Sequence, residues 1–110
     1  MKVEYTDELV PEGLGFTVVL RDQLERVVLE ELKKLVENWY GVGFFGGFGG
    51  NGFHSMTEVE YEEDDLWVAW TVDMGDVGEE AINVLAKVLD GFNREYSVIE
   101  KLIVGHIIEE

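Results

Sequence analysis

Residues 57–73 read TEVEYEEDDLWVAWTVD. In the first half Thr57, Val59 and Tyr61 alternate with Glu58, Glu60 and Glu62; in the second Leu66, Val68, Trp70 and Val72 alternate with Trp67, Ala69, Thr71 and Asp73. A period of two is what a strand with one wet face and one buried face requires. The spacing predicts a hairpin, two antiparallel strands joined by a turn around residues 63–65. What flanks that hairpin decides the fold.

Upstream, Leu24, Val27, Val28, Leu32, Leu35, Val36 and Trp39 recur at helical spacing, which predicts an amphipathic helix with one buried stripe. Asp22 and Glu25 have the spacing of a capped start, and Gly41 is placed to end the helix. The preceding GFTVVL, residues 15–20, is β-branched and flanked by glycine, and is read as a buried strand.

Downstream, Asp76 and Glu79 open a second helix whose core face uses Val77, Ala81, Val84, Leu85, Val88 and Phe92, with Gly91 and NREYS at its end. The closing SVIEKLIVGHII, residues 97–108, is apolar on both faces, as expected of an interior strand or one leading into a subunit interface. The order strand, helix, strand, strand, helix, strand resembles the ferredoxin-like α+β sandwich, an antiparallel sheet with two helices on one face. KVEYT, residues 2–6, can add an N-terminal edge strand. At 110 residues the expectation is one domain spanning 1–110.

Between the first helix and the hairpin lies WYGVGFFGGFGGNGFH, residues 39–54, which contains G-x-G-x-x-G at 41–46. A dinucleotide site needs that turn between a strand and the helix whose N-terminus holds the pyrophosphate. Here it follows a helix, with no cation nearby, so nucleotide binding is not expected. Two readings remain. Asn51-Gly52 is a strong hairpin signal, and would pair 44–49 with 53–59 as a Gly-rich hairpin. Alternatively the stretch is a mobile loop that offers Phe44, Phe45 and Phe48 to a partner.

Charge is the strongest signal in the composition: 24 acidic residues against 8 basic ones give a formal net charge of −16. After Lys34 the next base is Lys87, and eleven acids lie between them. Nucleic acids and anionic membranes repel such a chain, so neither is an expected partner. Cysteine is absent, which removes disulfides and thiolate sites and fits a reducing compartment. The first residues, MKVEYTDELVPEG, carry charges where a signal peptide needs an apolar core. A cytoplasmic protein is expected.

Neither metal nor cofactor is expected: Glu62 to Asp65 and Asp73-x-x-Asp76 lack the spaced ligands and glycine turn of a calcium loop. His54 and His106 are the only histidines, and without a nucleophile and orienting partner at triad spacing they point to no enzyme. Charges on an outer strand face commonly serve only to keep it wet and unpaired. Like charges repeated along one strand and continued through a turn, however, repel one another. Carboxylates on one strand face repeat about every 7 Å, a scale similar to nucleic-acid phosphates.

The expected function is therefore a small acidic protein–protein interaction module: an inhibitor of immunity or anti-defence type, a nucleic-acid mimic that blocks a basic site on a nucleic-acid-handling protein. Its contact residues would be Glu58, Glu60, Glu62, Glu63, Asp64, Asp65 and Trp67, with Phe44, Phe45 and Phe48. The alternatives are a small-molecule-binding or enzymatic ferredoxin-like domain with a pocket near Trp39, Phe45 and Trp70, or a generally acidic halophile surface. The last strand leaves a homodimer open.

Overall fold

The computed structural model describes residues 1–6, 13–62 and 64–105. In chain order the elements are β1 (Lys2–Tyr5), β2 (Leu14–Leu20), α1 (Arg26–Phe44), β3 (Ser55–Met56), β4 (Glu60–Tyr61), β5 (Trp67–Asp73), α2 (Glu80–Tyr96) and β6 (Ile99–Val104). They form an α+β architecture with a six-stranded sheet in the order β1-β6-β2-β5-β3, in which β4 also pairs with β5. β1 runs parallel to β6 and every other pairing is antiparallel. The sheet is thus mixed, where the sequence suggested an antiparallel one; the difference comes from the added edge strand.

Alternation builds the core. Leu14, Phe16 and Val18 on β2, Val68, Trp70 and Val72 on β5, and Leu102 and Val104 on β6 all turn to one face and are buried. Both helices deliver their apolar stripes to that face: Leu29, Leu32, Val36 and Trp39 from α1, and Ala81, Ile82, Leu85, Leu89 and Phe92 from α2. Phe16 stacks on its cross-strand partner Trp70 at a centroid separation of 5.4 Å, and meets Trp39 edge-on at 5.4 Å. The Trp39 indole N–H then donates to the Ala81 carbonyl at 2.8 Å, tying the start of α2 to the C-terminal half of α1.

The glycine-rich stretch forms neither the expected hairpin nor an unattached loop. Instead α1 continues through Gly41 and Gly43 to Phe44. Gly43 occupies the next position of the buried stripe after Val36 and Trp39, and a β-carbon there would lie 2.1 Å from the Phe53 ring. The helix persists past two poor helix formers because Phe53 packs on its glycine face, against Trp39 at 5.0 Å and Tyr40 at 5.7 Å. Tertiary packing outweighs propensity here.

Tight turns follow, and Asn51-Gly52 does not turn a hairpin: the Asn51 amide and side-chain NH₂ donate to the Asp76 carboxylate at 2.8 and 3.1 Å. Gly52 takes φ +90°, with the Phe44 carbonyl where a β-carbon would stand. Only glycine fits that approach.

The other departures are local. Of the expected 57–62 strand only β4 is regular, and β3 precedes it, because the Thr57 hydroxyl accepts the Thr71 N–H at 2.8 Å in place of a ladder carbonyl, and the register slips by one residue between Met56↔Val72 and Glu60↔Ala69. This is a bulge. It puts Thr57 against Thr71 rather than on the face of Val59 and Tyr61.

The helices begin later than expected, at Arg26 and Glu80, without side-chain caps. Asp22 accepts the neighbouring Gln23 amide instead, and Asp76 is held by Asn51. α2 passes through Gly91 and ends at Tyr96, with Ser97 left-handed at φ 53°.

The two glycines of the former fingerprint should respond oppositely to alanine. Gly41 has open space where a β-carbon would go, so Gly41→Ala should stabilise by about 0.5–1 kcal/mol. Gly43→Ala drives into Phe53 and should cost about 1–3 kcal/mol. Urea denaturation of both variants measures the contrast.

Candidate interaction surface

The face of the sheet opposite the helices is the most distinctive surface of the molecule. Register places Lys2, Lys101, Val19 and Trp67 side by side in one row across β1, β6, β2 and β5. The next row is Glu4, Ile103, Thr17, Ala69 and Glu60, which reaches β4. No helix or strand among the described residues lies over this face. A sheet face open to water is usually polar, yet the middle of this one is Val19, Ile103, Trp67 and Ala69, all half-buried. Thr17 sits at the centre, only 9% exposed, and its hydroxyl has no hydrogen-bond partner among the described residues.

The two margins of this face carry different charge. On the β1 side, Glu4 bridges Lys2 at 3.2 Å and Lys101 at 3.3 Å. The hydrogen bonds from Lys2 and Lys101 hold its carboxyl below the usual range. On the β4 side stand Glu60 and Glu62, both exposed, with Glu58 before them and Asp64 in the turn after. Asp65 is half-buried, its amide donating to the Glu62 carbonyl at 3.0 Å. Glu63 lies outside the described residues. Trp67 and Glu60 share the outer face, as the alternation indicated.

The phenylalanines are elsewhere. Glu30, near the start of α1, accepts the Tyr61 hydroxyl and so marks the β4 end of the helix; Phe44 lies at the other end, about 20 Å along the axis. Phe45 is 86% exposed and Phe44 46%, the two in edge-on contact at 5.1 Å. Phe48 is half-buried, beside Trp39 and Phe53. It belongs to the packing, which leaves Phe44 and Phe45, with the exposed Val42, as an apolar knuckle remote from the acidic margin. Trp39 and Trp70 are buried against Phe16 while Phe45 faces solvent, so those three residues line no common pocket.

Two features escaped the sequence reading. His54 sits at the end of β5 with Nδ1 3.5 Å from the Asp73 carboxylate, and its backbone N–H donates to the Asp73 carbonyl at 2.8 Å. Burial, with the Asp73 charge, raises the Tyr40 hydroxyl above its ordinary pKa. His54 lies just before β3, beside the last residue of β5. The second is a groove of about 510 Å³ between the helices, floored by Leu35, Val88 and Phe92. The Tyr96 hydroxyl closes one side by donating to Glu31 at 2.5 Å.

Among the described residues no group of three or more His, Asp or Glu is placed to hold a metal ion, and no helix is long and apolar enough to cross a membrane. No family model, curated protein or solved structure matches the chain.

Two measurements follow from these contacts. Asp76 is the anchor of the glycine turn, so Asp76→Ala should raise the hydrogen-exchange rate of the Asn51 amide by on the order of tenfold, with α1 protection retained. The bond to Glu31 pushes Tyr96 up from 10.0 to about 12. A folded chain then keeps a proton that the unfolded chain releases, so this stabilisation is complete below pH 10.0 and lost toward pH 12. Over that window the denaturation midpoint should fall more steeply in the native chain than in Tyr96→Phe.

Proposed function

We propose that this chain is a small acidic protein–protein interaction module of inhibitor type, which occludes a basic site on a nucleic-acid-handling protein. The observation that carries the reading is the exposure of Glu58, Glu60, Glu62 and Asp64 in and around β4, whose Glu60 shares with Trp67 the sheet face opposite the helices, in a chain of net charge −16. Carboxylates two apart on a strand, such as Glu60 and Glu62, are spaced about 7 Å apart, which suits a groove lined by Lys and Arg. A half-buried indole beside them supplies the kind of apolar anchor that interfaces favour. The remote Phe44–Phe45 knuckle would contribute only to a partner large enough to span both ends of α1.

The ferredoxin-like assignment belongs to the same proposal. Leaving β1 aside, the order β6-β2-β5-β3 with antiparallel neighbours throughout, and each helix linking two strands that are not adjacent, supports it. An immunity or anti-defence role and a cytoplasmic setting are consistent with such a partner and with a chain that has no cysteine.

The test is capture of basic nucleases and polymerases by the immobilised chain across a salt series. Affinity should drop at least about tenfold between about 0.05 and 0.5 M KCl, because exposed charges are screened over that range. Replacing Glu58, Glu60 and Glu62 by Gln and Asp64 by Asn together should weaken capture by on the order of tenfold. Capture indifferent to ionic strength and to those substitutions would contradict the proposal.

A further inference from the structure

We infer that Asn51-Gly52 is a site of spontaneous covalent modification, at which the asparagine deamidates through a cyclic imide and the product releases the glycine turn from Asp76. This goes beyond the proposed inhibitory role and does not depend on it.

The chemistry lies in the dipeptide. Once a base has taken the Gly52 N–H proton, the backbone nitrogen bonds to Asn51 Cγ, the Cγ–Nδ2 bond breaks, and the side-chain nitrogen leaves as ammonia with protons from water. Water then opens the five-membered imide at either carbonyl and leaves aspartate or isoaspartate at position 51. A side chain on the attacking residue obstructs this closure, and glycine has none. Packing imposes that glycine: Gly52 takes φ +90°, and a β-carbon there would stand 2.5 Å from the Phe44 carbonyl, an approach only glycine permits. The neighbour that makes an asparagine most reactive is thus required by the fold.

The same turn holds the reaction in check. Asp76 grips Asn51 twice, accepting its backbone N–H at 2.8 Å and its side-chain NH₂ at 3.1 Å. The second bond fixes the amide and sets a carboxylate beside a group that must itself gain negative charge as the ring closes. Gly52 is buried although Asn51 is exposed, so base reaches the Gly52 N–H when the turn opens. One local opening lifts both restraints. The other asparagines lack this arrangement: Asn38, Asn83 and Asn93 lie within α1 and α2 and precede Trp39, Val84 and Arg94.

The product cannot be held as the asparagine was. Aspartate at 51 puts a carboxylate oxygen where Nδ2 stood, against the Asp76 carboxylate, and two like charges that close repel. Isoaspartate also lengthens the main chain by a carbon beside the close contact of Gly52 with Phe44. Either product takes from the turn its anchor on Asp76, and the turn carries Phe48, which packs beside Trp39 and Phe53. Loss of ammonia makes the release permanent.

The experiment is incubation of the whole chain in mildly alkaline buffer, followed by intact-mass measurement and peptide mapping. Conversion of amide to carboxyl should accumulate at Asn51 at least about tenfold faster than at Asn38, Asn83 and Asn93, whose amides lie in helices that open less readily. Asp76→Ala should speed the reaction at Asn51 by on the order of tenfold, because it removes the hydrogen bonds that keep the turn closed. Equal rates at the four asparagines, or a rate in Asp76→Ala no faster than native, would overturn the inference.

A second pair of variants tests the release itself. Asn51→Asp should raise hydrogen exchange across 46–52 by on the order of tenfold, with α1 protection retained. Adding Asp76→Asn supplies an amide that can donate to the carboxylate at 51, and should return exchange to the native rate. Exchange in Asn51→Asp that matches the native chain would overturn the inference as well.

Discussion

Phe16 is the contact on which the rest of the molecule depends. It lies flat on Trp70 at the centre of the sheet and edge-on to Trp39 in α1, and Trp39 in turn holds the first turn of α2 through its indole N–H. Three aromatic rings and one hydrogen bond thus join β2, β5 and both helices. Aromatic pairs at such separations contribute beyond their buried area. The arrangement also fixes orientation: once Phe16 and Trp70 face the helices, their strand neighbours Thr17, Val19, Trp67 and Ala69 must face away. The composition of the open face is a consequence of the core.

The fold was legible where a single period ran unbroken. In β5 every second residue from Val68 to Val72 is buried, as alternation demands, and the stripe Leu32, Val36, Trp39 reads directly as the buried side of α1. The glycine stretch was not legible. Gly41 and Gly43 look like helix terminators, and only the Phe53 ring resting on Gly43 explains why the helix continues. That contact joins residues with no shared period. The break between β3 and β4 was hidden for a related reason, because it depends on which group of Thr57 bonds to Thr71, and a threonine in a strand gives no sign of that in advance.

The candidate site was half legible. Glu60 and Trp67 share a face because their strands pair in the register that alternation implies, so that juxtaposition follows from the hairpin. The separation of the phenylalanines does not, since it rests on α1 being three residues longer than Gly41 suggests and carrying Phe44 and Phe45 away from β4. The apolar centre was hidden in plain view: GFTVVL and VIEKLIV are apolar on both faces. Such runs are read as strands covered on both sides, yet among the described residues only one side has helices over it.

The central claim is that the packing of Phe16 on Trp70 and Trp39 decides which residues face away from the core, and fluorescence can report on it through one residue. Trp39 and Trp70 are each 3% exposed, whereas Trp67 lies half-buried on the open face. Acrylamide quenching of the native chain therefore reads Trp67 almost alone. The account predicts that Trp67→Phe removes most of the quenchable fraction, leaving the buried Trp39 and Trp70 unquenched. A quenchable fraction that survives Trp67→Phe would contradict it.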